Sequence, residues 1–241
     1  LKNYIIIPAR KDSKRLPGKA LLEETGKPLF VHTYERLKVL LSFGLVEKIY
    51  VATPCEEVIC EAAKRNIPTI KTLPSHCGSH AAMRAAKIIN EYCNIVNVQV
   101  DYPLIDPDLV RRIITRIYET DCITSAYYKT SEKDAALNPN NVKCVMNINN
   151  NAHYFSRSEI PYNSDEWNIH LGIYGFPFSK WSGLKNLYIH DNDYQWSNKE
   201  NLEQLMWLYH GYKINMIESS PCLGVDTEED YEQFKKNYSS R

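Results

Sequence analysis

The feature that most constrains this chain is the alternation, through its first half, of short β-branched runs with apolar residues at helical spacing. Tyr4-Ile5-Ile6-Ile7, ended by Pro8, reads as a buried strand. After a polar loop from Ala9 to Lys19, residues 28–43 place Phe30, Val31, Tyr34, Leu37 and Leu41 on one helix face. Ile49-Tyr50-Val51-Ala52 repeats the strand pattern. Thr53-Pro54, with Glu56 three positions after the threonine, has the residue types of an N-cap and first helical turn. A further helix is predicted over 80–92 and a third strand over Ile95–Val100. Asp106-Pro107 opens a helix whose apolar positions are Leu109, Val110, Ile113, Ile114 and Ile117. This order predicts an α/β fold: a mostly parallel, doubly wound sheet with helices on both faces.

The second half changes character. Residues 143–157 read as two strands around an Asn-rich turn at 147–151, and His170–Phe176 as another. We expect a single domain over 1–241 that carries a small strand-rich subdomain at about 138–190. Helical spacing returns over 198–210, Ile214–Ile217 is a strand, and Thr227 caps a last helix running to about residue 237.

Lys+Arg and Asp+Glu both number 29, so no excess charge suggests a nucleic-acid or membrane partner. The run Tyr4–Ile7 is too short to cross a bilayer, and no signal-peptide pattern is visible. Seven cysteines, without a C-x-x-C pair and mostly in apolar runs (Cys60, Cys122, Cys144), read as reduced, buried thiols of a cytoplasmic protein.

The loop after the first strand concentrates positive charge: Arg10, Lys11, Lys14, Arg15 and Lys19 fall within ten positions. A doubly wound sheet binds its ligand at the carboxyl ends of its strands. Fixed Arg and Lys side chains there suit a polyphosphate. The loop is neither a Walker A nor a G-x-G-x-x-G sequence, and composition alone equally allows a solvated basic turn. Asp101 follows the third strand and Asp226 precedes the last helix. Two carboxylates joined by phosphate oxygens suit Mg²⁺, although either aspartate taken singly also fits a turn or cap. Arg157 ends a strand; His170 and Tyr174 share one face of another; Glu203 and Gln204 lie in an amphipathic helix. Such groups suit an acidic sugar, and equally a surface cation, a core histidine and a solvated helix face.

The stretch from Pro8 to Leu21 resembles the nucleotide-binding loop of the sugar-acid cytidylyltransferases, most closely the 3-deoxy-manno-octulosonate (Kdo) cytidylyltransferases. Asn97–Pro103 and Gly224–Thr227 resemble that family's metal segments. Asn138–Lys143, Tyr154–Arg157, His170–Gly175 and Leu202–Leu205 follow in the family's order, so the resemblance covers almost the whole chain. It implies a Rossmann-like nucleotidyltransferase fold, a homodimer, and a reaction in which Mg²⁺, CTP and an acidic sugar give a CMP-sugar and pyrophosphate. It further implies that Arg10 and Lys19, with Arg15 as a weaker candidate, hold phosphates. Ala9, Gly78, Ser79 and Gln99 would line the nucleotide site. Asp101 and Asp226 would hold Mg²⁺, Arg157 the sugar carboxylate, and His170, Tyr174, Glu203 and Gln204 the rest of the sugar.

The chain departs from the family pattern in several places. Val100 and Tyr102 flank Asp101 where the family has Gly and Glu, and the acid and Arg of its H-Q-S-G-T-[DE]-R loop have become Ala81 and Ala82. Two basic positions are Ile169 and Met206, and the segment between Pro161 and His170 is short. His76, Cys77 and His80 lack a fourth ligand for zinc. These losses leave open a different acidic acceptor, such as another nonulosonic acid or a phosphonate, or an inactive nucleotide-binding homologue.

Overall fold

The computed structural model describes residues 1–10, 13, 15–188 and 199–239. Lys11, Asp12 and Lys14 of the basic loop, positions 189–190 of the strand-rich stretch and position 198 of the expected helix lie outside the described residues. The elements in chain order are β1 (Lys2–Pro8), α1 (Leu29–Leu37), α2 (Val39–Ser42), β2 (Lys48–Thr53), α3 (Glu56–Ala63), β3 (Thr69–Lys71), α4 (Gly78–Ile89), β4 (Cys93–Asn97) and α5 (Pro107–Thr120). They continue with β5 (Ile123–Thr130), α6 (Lys133–Leu137), β6 (Lys143–Met146), β7 (Ala152–Ser156), β8 (Trp167–Phe176), α7 (Phe178–Leu187), α8 (Gln204–Tyr209), β9 (Ile214–Glu218) and α9 (Glu228–Ser239).

The chain forms two compact units: Leu1–Arg111 with Cys222–Arg241, and Arg112–Pro221. The first carries a parallel sheet in the order β3-β2-β1-β4. Ile5, Ile6 and Ile7 of β1 are fully buried, as expected for a parallel strand covered on both faces. Strand β1 pairs with β2 on one side (Ile5↔Ile49) and with β4 on the other (Ile5↔Val96). The chain winds one way from β1 to β3 and then returns to the far side of β1. The gap between the β1 and β4 carboxyl ends is therefore a topological switch point, where an open parallel sheet leaves a crevice for ligand. The basic loop leaves β1 there, and the segment bearing Asp101 leaves β4.

The second unit is the strand-rich one, and it is larger than the stretch 138–190. Strand β5 pairs parallel with β9 and antiparallel with β8, and β6–β7 is an antiparallel hairpin joined to β8 at Lys143↔Ile169. The pairing of β5 with β8 jumps from Ala126↔Leu171 to Ser125↔Tyr174, so β8 bulges beside Ser125.

Several boundaries differ from the sequence pattern. Strand β4 ends at Asn97 rather than Val100, because its ladder with β1 runs out at Ile6↔Asn97. Only the Val98 N–H, donating to Ile6 O, extends it. The helix expected over 80–92 starts at Gly78 and stops at Ile89; Asn90, at φ 54°, closes it through a bond to Ala86 O. The pattern over 28–43 divides at Lys38 into α1 and α2. Thr53 is the last residue of β2, and its hydroxyl accepts from Cys55 N–H ahead of α3, so Cys55 holds the cap position instead. Within 198–210, Asn201 turns the chain at φ 53° and separates helical Lys199 and Glu200 from α8. Thr227 does cap α9: its hydroxyl accepts from Asp230 N–H while the Asp230 carboxylate accepts from Thr227 N–H. The seven cysteines are free; Cys144 is buried, but Cys60 stands exposed on α3 and Cys122 is half-buried. Among the described residues, no helix is long and apolar enough to cross a membrane.

Gly175 of β8 sits directly beneath α5. A Cβ there would stand 2.6 Å from Ile113 Cγ2 and 2.7 Å from Ile117 Cδ1. Gly175→Ala is expected to lower unfolding free energy by about 1–3 kcal/mol through overpacking, read as a fall in urea midpoint. An unchanged midpoint would show that α5 yields without strain.

Candidate active site

In the first unit one ammonium gathers the charged residues. Lys19 Nζ donates to Asp101 Oδ2 at 2.8 Å, to Asp226 Oδ1 at 2.9 Å and to Val225 O at 3.2 Å. Three features bring these distant residues together. Gly18 adopts φ 68°, which turns the basic loop into the single 3-10 turn carrying Lys19. Val225 N–H donates to Asp101 O, which aligns the chain before α9 with the chain after β4. An apolar cluster of Leu16, Leu29, Val225, Tyr231 and Phe234 then fastens α9 to the basic loop. Arg15 reaches the other oxygen of Asp226 at 3.0 Å.

Burial acts to lower the Lys19 pKa, but the carboxylates of Asp101 and Asp226 outweigh it and hold it above the ordinary lysine value. Asp101 Oδ1 is buried with no hydrogen-bond partner. That oxygen is a hard anionic acceptor in want of a cation or donor. The two carboxylates therefore offer oxygens that fit Mg²⁺, with remaining positions left for phosphate and water.

The expected nucleotide residues lie around this cluster. Buried Ala9 continues from β1, its N–H donating to Ala52 O. Arg10 is exposed and donates to Ser75 O and His76 O, tying the basic loop to the chain before α4. Gly78 opens α4 against the Gln99 side chain: a Cβ there would lie 2.2 Å from Gln99 Nε2. Ser79 Oγ accepts from Asn97 Nδ2 at 3.0 Å. Asn97, the first residue of the Asn97–Pro103 segment, thereby anchors the start of α4 to the end of β4.

The second unit holds the expected sugar residues. His170 Nε2 lies 2.9 Å from Ser125 Oγ, and that hydroxyl donates to Ile173 O at 2.8 Å. With its single proton directed to a carbonyl, Ser125 accepts from Nε2–H, and the neutral ring keeps Nδ1 as an acceptor. Burial pushes the His170 pKa down to about 3. Tyr174 lies on the same face, its ring 5.5 Å from the imidazole. Gln204 is buried at the start of α8, and half-buried Glu203 precedes it.

Arg157 is a clamp. Its guanidinium donates to Glu200 O, Pro139 O and Asn201 O, while the Glu200 carboxylate accepts from Arg157 N–H and Ser156 Oγ–H. Fully buried Lys143 grips the same loop through Asn138 O, Asn141 O and Arg157 O. Ser125 and Glu200 escape sequence reasoning, because each acts on backbone or on another side chain brought near only by folding.

A family model described as cytidylyltransferase matches residues 4–214. The 3-deoxy-manno-octulosonate cytidylyltransferase of Nitratiruptor sp. is 36% identical, over 97% of this chain and 99% of that protein. The protein of the same name from Neisseria meningitidis serogroup A is 33% identical over 96% of each. This chain belongs to the cytidylyltransferase family. A solved CMP:2-keto-3-deoxy-manno-octonic acid synthetase, complexed with CTP, superposes with a TM-score of 0.88 at 29% identity, covering 100% of this chain and 99% of that one. A Leptospira borgpetersenii cytidylyltransferase, at 18% identity and a TM-score of 0.65 over 100% of this chain and 88% of that one, shares the fold.

The departures from the family pattern acquire physical reasons. Ile169 packs with Ala136 and Trp167, with Tyr128 against them; adjacent to His170 on β8, it points to the opposite face of the strand. An apolar residue there completes a core and removes no charge from beside the imidazole. Met206 is likewise buried. Ala81 and Ala82 are inside α4 and buried, where neither an acid nor an arginine fits without partners. His80 accepts from Arg84 Nε at 2.9 Å and stacks on His76.

His170 and His32, the latter lowered to about 4 by burial and then by Lys27, both favour the neutral form when folded. Their stabilising contribution is complete above the ordinary value of 6.5 and declines as pH falls, being lost below about 3 and about 4 respectively. Thermal melts from neutral to acid pH should show a steeper loss for the parent than for His170→Gln. Identical slopes would place the titrating group elsewhere.

Proposed function

We propose that this chain transfers the cytidylyl group of CTP to 3-deoxy-manno-octulosonate. The anomeric hydroxyl oxygen of the sugar bonds to the α-phosphorus, the bond to the β-phosphate oxygen breaks, pyrophosphate leaves, and the hydroxyl proton passes to solvent. The reading is carried by one observation: Asp101 and Asp226, far apart in the chain, converge on Lys19 at the mouth of a parallel sheet. The similarity to Kdo cytidylyltransferases over nearly the full chain supports the choice of nucleotide and sugar.

Asp101 and Asp226 would hold Mg²⁺, which would supply neutralisation of phosphate charge, including that of the leaving pyrophosphate. Arg10, Arg15 and Lys19 bind the triphosphate, which orients the α-phosphorus and stabilises the charge that develops on transfer. Ala9, Gly78, Ser79 and Gln99 shape the nucleoside end, where the Gln99 amide supplies both a donor and an acceptor.

His170 is neutral, so it orients a sugar hydroxyl by hydrogen bonding and supplies no charge. Arg157 is the cation for the sugar carboxylate. Among the described residues its guanidinium faces carbonyls and pairs with no carboxylate, which keeps its charge available. Tyr174, Glu203 and Gln204 complete the sugar contacts. A homodimer is the assembly expected from the family, and free thiols support a reducing, cytoplasmic setting.

Purified protein with CTP, Mg²⁺ and 3-deoxy-manno-octulosonate should release pyrophosphate. Asp101→Asn and Asp226→Asn should each lower kcat/KM by roughly 100-fold or more. Release only with a different nonulosonic acid or a phosphonate would keep the nucleotidyl transfer and change the acceptor. No release with any acceptor, under conditions where a family enzyme turns over, would remove the catalytic reading.

A further inference from the structure

We propose that Lys19 is a positioning residue that stands in for the metal, holding the two carboxylates at their working separation and making metal entry conditional on nucleotide. The inference rests on the reading of the site as a CTP site. It begins from the saturation of the ammonium. All three of its protons are used, on Asp101 Oδ2, Asp226 Oδ1 and Val225 O. Oxygens converging on a buried positive charge are also what a hard cation requires. The side chain is only 11% exposed, so this is not a surface ion pair weakened by water.

Charge makes the arrangement a gate. Among the described residues, the ion pairs here join Asp101 and Asp226 to Lys19 and Arg15. A divalent cation arriving alone meets carboxylates whose inward oxygens already face an ammonium. It must either displace Lys19 or lie beside two like charges, and both oppose binding. A triphosphate changes the balance. Its oxygens are better partners for a lysine and an arginine than shared carboxylates are, and they bring the excess negative charge that the metal neutralises. Lys19 then moves to phosphate, its carboxylate oxygens open inward, and the unpartnered Asp101 Oδ1 lies beside them. The metal and nucleotide thus bind with positive coupling, and Lys19 is the element both compete for.

Two measurements on the full-length chain test this. The first titrates Mn²⁺ without nucleotide and reads free Mn²⁺ by electron paramagnetic resonance. Lys19→Met should bind Mn²⁺ about tenfold or more tighter than the parent, because the competing charge is gone. Lys19→Arg, which keeps the charge, should bind as weakly as the parent. The second needs no variant: with ¹⁵N-lysine labelling, the buried Lys19 ammonium resonance should stay in place with Mg²⁺ alone and shift when Mg²⁺ and CTP are added together. A Lys19→Met protein that binds Mn²⁺ no tighter than the parent, or a parent resonance that moves with Mg²⁺ alone, overturns the inference and leaves the CTP site standing. A spectrum unchanged by CTP with Mg²⁺ removes the nucleotide site as well.

Discussion

The charged centre of the first unit depends on one buried ammonium shared between two carboxylates. Lys19 lies just past a left-handed glycine, Asp101 follows the fourth strand, and Asp226 stands 125 residues further on, so no local rule relates them. What relates them is that each leaves an element whose end is fixed by the apolar core. Strands β1 and β4 are neighbours because their β-branched residues bury on both faces of a parallel sheet. Helix α9 docks because Val225, Tyr231 and Phe234 need the same apolar cluster as Leu16 and Leu29. Hydrophobic burial, which has no direction, brings the segments close. Hydrogen bonds and charge, which do, then set the positions of the side chains.

Polarity is handled differently in the second unit. There a lysine, an arginine and a histidine sit within a largely apolar scaffold, and each is satisfied in its own way. Lys143 loses its contacts with water altogether and replaces them with three carbonyls. Burial of the lysine, and then the nearby Arg157 charge, lower its pKa. His170 is kept neutral by burial and hydrogen-bonds to Ser125, whose position is set by the bulge in β8. Arg157 spends its donors on the backbone of two loops. The result is a polar framework in which each buried group is held by carbonyls or a hydroxyl.

Much of the fold was legible in the sequence, for identifiable reasons. Tyr4–Ile7 and Ile49–Ala52 are short, β-branched and uninterrupted, so they are recognisable as buried parallel strands. Thr227 with Asp230 is a local capping pair, visible without tertiary knowledge. Boundaries were less legible, because ladders and turns decide them: β4 stops where β1 stops offering partners, and Asn201 breaks a pattern whose apolar spacing continues. Strands β3 and β5 and helices α6 and α7 went unread, since Thr69–Lys71 is only three residues long and Ile123–Thr130 carries polar residues that neighbouring strands cover.

The candidate site divides along the same line. Residue types raised Arg10, Lys19, Asp101, Asp226, Arg157, His170 and Tyr174 as candidates, because charge and hydrogen-bonding capacity belong to a side chain wherever it lies, and the resemblance to the cytidylyltransferases gave them their expected roles. Partnership belongs to the folded chain. That Lys19 would lie between two aspartates, that Ser125 would hold His170 in a neutral state, and that Ile169 would turn away from that histidine into an apolar cluster all follow from register and packing. A sequence determines which chemistry a chain carries. Only the tertiary structure decides which groups meet, because contacts between residues a hundred positions apart are selected by the burial of the elements between them.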